Sequence, residues 1–186
     1  MDGNILVLAS LCNFPLLITE EKERETLPLL FRSKVTEAQF TASKAVSSLL
    51  TGELMAVIVF FISGARPSLL PQYLLINLIA MASFLPYGFL TAVYARDQNS
   101  VNVYSMLSVV IAFIIPIFSY WNLAFGSIAM FIPTSFMGIV LNKVHPVEGF
   151  LDISLPLSFA VCLIWFAAGL AVLYAVRKKK SIFYLL

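Results

Sequence analysis

Apolar positions fall in long runs along this chain, and polar positions gather into a few short intervals. Ile5 to Ile18 is an apolar run of fourteen residues that includes Asn13 and Pro15. As a helix it reaches about 21 Å, short of a hydrocarbon core roughly 30 Å thick. A partial span is the expectation. Ala45–Ile62, Gln72–Tyr94, Val101–Ser119 and Ile153–Val176 are each near the length of a full crossing. Ser63 to Pro71, marked by Gly64, Pro67 and Pro71, reads as a loop, and Ala95 to Ser100 as a short polar turn. Tyr120 to Asn142 is apolar but broken by Asn122, Gly126, Pro133, Thr134, Ser135 and Gly138. Irregular backbone at membrane depth is tolerated only where protein or water satisfies it, so short re-entrant or interfacial helices are expected there. Tyr120 and Trp121 suit the headgroup level. Lys143 to Asp152 continues as an outer loop, and Arg177 to Lys180 is a basic tail.

Composition turns these runs into a membrane assignment. Of 186 residues, 60% are hydrophobic and 12% charged, and the mean hydropathy is +0.93. Soluble domains run about 45–50% apolar and about 25% charged. A core of this size cannot hide the excess. The fold class expected is therefore all-α, a polytopic membrane bundle forming one domain over residues 1–186, with about five spans of which the first is partial.

The long polar interval, Thr19 to Lys44, carries five of the twelve Lys+Arg and five of the ten Asp+Glu. Bounded on both sides by lipid-soluble runs, it must lie in water, where a soluble partner can reach it. Two short helices are expected in it. One, Glu20–Phe31, would start with acidic residues suited to the positive end of a helix dipole. Leu27, Leu30 and Phe31 would share one face. The other would start at the capping box Thr36-Glu37-Ala38-Gln39 and run on into the second span. From the pattern alone, a charged connector resting on lipid headgroups fits equally well.

Alternating sides place ten cations with the Thr19–Lys44 interval, the Ala95–Ser100 turn and the tail, against two, Arg66 and Lys143, on the other face. Cytoplasmic loops collect Lys and Arg, so the ten mark the cytoplasmic side, the C-terminus included.

Glu21-Lys22-Glu23-Arg24-Glu25-Thr26-Leu27, with Leu30 following and Ser43-Lys44 later, resembles the E-K-E-x-x-T-L signature of type-2 ATP-binding-cassette (ABC) transporter permeases. The rest of the pattern is similar too. A short cytoplasmic turn precedes a span ending near Pro116, then come a proline-broken hairpin with Ile132-Pro133-Thr134-Ser135 and a last span with a basic tail. The resemblance implies an exporter permease in the cell membrane, with Glu21, Lys22, Glu23, Thr26, Leu27 and Leu30 coupling it to a separate ATPase subunit. It also implies a second permease as partner, a re-entrant hairpin around Pro133 and Thr134, and no cofactor. Departures from the family pattern are a sixth span, for which the chain has no room at its start, Glu25 where glycine is common, and Pro28 inside the expected coupling helix. The rival from another class is an ATPase-independent membrane assembly or immunity factor.

Other chemistry is sparse. Glu53 lies nine residues beyond Lys44, about 13 Å into the membrane by helical rise. A charge there costs on the order of 2.5–3.5 kcal/mol, so Glu53 should face the bundle, a partner or water. Glu53 and Asn77 are candidates for an intramembrane polar contact or for the lining of a translocation path, and a protonated Glu53 tolerated by lipid is a third, lesser reading. Ser48, Gly52 and Ala56 recur every fourth residue. That spacing lets membrane helices approach closely, and chance in an Ala/Ser-rich stretch gives it as readily. Ala168 and Gly169 are similar. His145 and Glu148 are too few for a zinc site. No nucleophile–base pairing and no P-loop motif is readable, so ATP hydrolysis is expected on another chain and no catalytic residue is assigned. Cys12 and Cys162, each in an apolar run, read as small hydrophobes. Four basic residues in the tail suit an inner leaflet, not nucleic acid.

Overall fold

The computed structural model describes residues 9–24, 26, 32, 34–62, 64, 66–119, 128, 131–133 and 155–179. Among these residues every regular element is helical. A π-helical turn, Ala9–Asn13, leads into α1, Phe14–Glu23. Then follow α2 (Glu37–Ile62), α3 (Leu70–Tyr94, entered through a 3₁₀ turn at Pro67–Leu69), α4 (Gln98–Ser119) and α5 (Leu155–Lys179). Three of them, within Glu37–Ile62, Pro67–Tyr94 and Phe159–Val176, are long and apolar enough to cross a membrane. The chain is thus a helical, multi-pass membrane protein.

Local chemistry explains the boundaries. Pro15 lies in the first turn of α1 and has no N–H to donate; the widened π turn just before it absorbs the missing bond. The expected capping box starts α2: the Gln39 amide donates to Thr36 Oγ1 at 3.2 Å, and the Thr36 amide donates to Gln39 Oε1 at 3.0 Å. Gly64, at φ +67°, makes the left-handed turn after α2. Asp97 caps α4, accepting the Ser100 amide at 2.7 Å. α4 therefore opens at Gln98, inside the stretch expected to be a turn.

α3 is the centre of the bundle. Half of its apolar window is buried (50%), against 22% for α2 and 17% for α5. Buried residues of α2 are Phe40, Ser48, Gly52, Ala56 and Phe60. The four from Ser48 onward fall every fourth position, so the small-residue stripe is the face that meets α3. The apolar side chains opposite, Leu50, Leu54, Ile58 and Ile62, are exposed, as lipid-facing positions are. Gly169 brings α5 onto α3: a Cβ there would lie 2.7 Å from Pro86 Cβ. Lipid tails are as apolar as leucine, so close packing of small residues is what holds such helices together.

One cluster, Phe60, Tyr73, Ile76, Ala80 and Phe84 with Ala112 and Cys162, fills the middle of the bundle and one end of it. A second, Phe14, Ile18, Phe40, Phe89, Ala92 and Val93, seals the other end. Along α5 the contacts progress from Trp165, whose carbonyl accepts the Tyr87 hydroxyl at 3.1 Å, to Leu173 beside the Phe89 cluster. α5 therefore runs parallel to α3. Its C-terminal end emerges with the Ala95 turn and the start of α2.

Candidate functional site

Phe14 and Ile18 anchor α1 in the second apolar cluster. One turn further on, the same helix delivers Glu21, Lys22 and Glu23 to the ends of the long helices. The expected helix from Glu20 onward is corrected here. α1 begins at Phe14 and ends at Glu23, so the acidic residues occupy its C-terminal turn, not its first. The apolar anchors outweigh the unfavourable dipole, and each charge finds a partner elsewhere.

Glu21 Oε1 accepts Lys44 Nζ at 2.8 Å. The Thr26 hydroxyl bonds the other Glu21 oxygen, and its amide donates to the Glu21 carbonyl at 3.2 Å. Thr26 thereby closes the end of α1. Lys44 is further held over the Phe40 ring, 5.7 Å from its centroid. The bonded Lys44 ammonium first, then the Thr26 hydroxyl, holds the Glu21 carboxyl below the usual carboxylate range.

Lys22 Nζ donates to the Ala95 carbonyl at 2.9 Å, a cation at the C-terminal end of α3. Burial pulls this ammonium below the usual lysine range. Glu23 Oε1 accepts the Gln98 amide at 2.7 Å, an anion at the N-terminal end of α4. Three consecutive side chains thus fasten α1 to α2, α3 and α4. Glu23 and Arg24 are nonetheless exposed, and Arg24 pairs with Glu20 at 2.7 Å. The sequence motif marked these residues. The partners Ala95 and Gln98 offer only backbone atoms, which no motif signals.

Leu27, Leu30, Pro28 and Thr134 lie outside the described residues, as does most of 120–150. Of that stretch, Pro133 is buried and Ile132 lines a cavity of about 170 Å³ with Leu11, Phe84, Ala112 and Trp165. The Phe131 carbonyl accepts Trp165 Nε1 at 2.6 Å. Phe84 is mid-helix, so this piece of irregular backbone sits at mid-bundle depth with a polar group satisfied by protein. A separate cleft of about 480 Å³ opens between α2 and α5 at the motif end, lined by Thr41, Ala45, Phe89, Leu170 and Leu173 among others.

Glu53 and Asn77 are brought together across the α2–α3 contact, Asn77 Nδ2 donating to Glu53 Oε1 at 3.2 Å. Among the described residues no three His, Cys, Asp or Glu side chains group as metal ligands. No protein-family model, curated protein or solved structure matches the chain.

Proposed function

We propose that this chain is the membrane permease subunit of a type-2 ABC exporter, in the cytoplasmic membrane with the Glu21–Glu23 end inside. It would work with a separate ATPase subunit and a second permease, of the same or another chain. What supports the reading is the set of bonds from Glu21, Lys22 and Glu23 to Lys44, Ala95 and Gln98. A force applied to this stretch passes directly to α2, about two turns in, and to the facing ends of α3 and α4. ATP-driven closure of the ATPases would push here and re-pack the bundle around α3, and substrate would pass along the interface between permeases. The exposed faces of α2, α4 and α5 supply the apolar surface that a second permease or lipid would cover. A connector resting on headgroups has no use for separate contacts to three helices.

The test is co-purification with a P-loop ATPase encoded beside this chain. Glu23→Lys places a cation at the N-terminus of α4, at a cost of about 1 kcal/mol. It should reduce the retained ATPase roughly fivefold and leave membrane insertion unchanged. Unaltered ATPase capture and transport across Glu21, Glu23 and Thr26 substitutions would leave an ATPase-independent assembly or immunity factor as the better account.

Orientation is checked separately. Cysteines replacing Lys34 and Ser181 should be shielded from impermeant thiol reagents in intact cells, and one replacing Ser68 should react. Labelling at position 34 from outside reverses the orientation and removes the coupling role with it.

A further inference from the structure

A half-buried Glu53 meets a buried Asn77 between α2 and α3, and their hydrogen bonds do not balance. Asn77 is fully buried. Its Nδ2 donates to Glu53 Oε1 at 3.2 Å and to Met81 Sδ at 3.4 Å. Its Oδ1, equally buried, accepts nothing. A buried amide oxygen without a donor is costly and uncommon, so a missing hydrogen is the first thing to seek.

Among the described residues no cation is bonded to Glu53. The sequence places no Lys, Arg or His in α2 beyond Lys44, in α3, in α4, or in α5 before Arg177. Lys44 is nine residues away, about 13 Å along the helix, and is bonded to Glu21. The remaining titratable groups on elements packed against α2 are Tyr73, Tyr87 and Tyr94 of α3, Cys12 of the π turn, and Glu20 to Glu23 at the far end of α1. Lys22 of that group is committed to Ala95. On α2 itself there is only Glu37, in its first turn.

We propose that the Glu53–Asn77 pair is a proton-binding site, in which Glu53 is a neutral acid at neutral pH. One proton answers both problems. A carboxylic acid and a primary amide pair face to face through two bonds: N–H to the acid oxygen, and acid O–H to the amide oxygen. The first of these is in place, and Asn77 Oδ1 is the vacant acceptor for the second. An ionised Glu53 can make only the first, leaving Oδ1 orphaned and an unpaired charge between two apolar helices. The paired acid and amide lock the α2–α3 register beside Gly52 and Ala56. Were water to enter this contact, the acid would release its proton to it and the second bond would be lost. Nothing in this assignment depends on the permease reading.

Infrared spectroscopy of the full chain in lipid tests it. At neutral pH the wild type should show an acid C=O stretch that is absent in Glu53→Gln and shifted in Asn77→Leu, which removes the amide partner. Absence of that band, or its persistence unshifted in Asn77→Leu, overturns the proposal. A second readout does not need Asn77→Leu to fold. In Glu53→Gln the new N–H replaces the acid O–H, so its thermal unfolding should match wild type at neutral pH. A marked drop would mean that the resident form is the carboxylate, and would overturn the proposal equally.

Discussion

Glu21→Lys will break the latch that ties α1 to the long helices, and Glu21→Lys with Lys44→Glu will restore part of it. The single variant sets a second ammonium against Lys44 and loses the carboxylate that holds Thr26. Both partners are about three-quarters buried, their side chains 23% and 26% exposed, so the pair is less screened than an ordinary surface one. Losing it and adding a like-charge contact should cost about 2 kcal/mol, roughly thirtyfold in the closed population. On the permease reading proposed above, transport and ATPase stimulation should fall together. The double variant returns the ion pair but not the Thr26 bonds, so recovery should be incomplete. Arg24→Ala serves as the control. Its pair with Glu20 is largely exposed, and such pairs contribute about 0–1 kcal/mol. pH adds a further check. Because the carboxyl of Glu21 is depressed in the folded protein, its contribution is complete above the ordinary Glu range and is lost as pH falls through the depressed value. Glu21→Gln should flatten that acid limb of a stability–pH profile. If single and double variants unfold alike, the pair does not fasten α1 to α2.

The second large effect is expected far from any charge. Gly169→Leu should dislodge α5. Even an alanine there meets Pro86 Cβ at 2.7 Å and Tyr87 Cε2 at 3.1 Å. The neighbour at fault is a proline ring fixed to backbone, which cannot rotate away. Overpacking of this kind costs about 1–3 kcal/mol for Ala, or roughly 2–12 °C in unfolding temperature. Leu should cost more, and should expose α5 to protease in detergent before the other helices. Gly64 is the comparison. Its φ of +67° disfavours alanine, but nothing lies within 4 Å of a Cβ, so Gly64→Ala should cost about 1–2 kcal/mol through conformation alone. Equal stability of Gly169→Leu and wild type would mean that α5 does not rest on α3 as described.

Elements whose cause is local were legible in the sequence. The Thr36–Gln39 box sets the start of α2 because its bonds join residues three apart. The stripe of Ser48, Gly52 and Ala56 was visible as a spacing that chance could equally give, and it proved to be a packing face because residues four apart share one side of a helix. α1 was not legible in the same way. Acidic residues suggested a helix start at Glu20, whereas burial of Phe14 and Ile18 against Phe40, Phe89 and Val93 decided where the helix runs. Those neighbours are distant in sequence, and local propensity is a weak prior against such contacts. The charged motif stood out as a string, but the fastening of its residues to three helices did not, because two of the partners are backbone atoms. Glu53 and Asn77 were visible separately as polar residues in apolar runs. Their meeting required the α2–α3 register.

The separations across the latch also set a clock. Lys22 and Glu23 find their partners 73 and 75 residues downstream. At about 5–20 residues per second of synthesis, α1 is made roughly 4–15 s before Ala95 and Gln98 exist to receive it. Through that interval Lys22, a group that ends partly buried, cannot yet reach the Ala95 carbonyl. α1 can therefore meet Phe40 and Lys44 of α2 well before its contacts to α3 and α4 are available. A ribosome stalled before Gln98 would hold a membrane-inserted chain in which Glu21 can already reach Lys44 while Glu23 still lacks the start of α4.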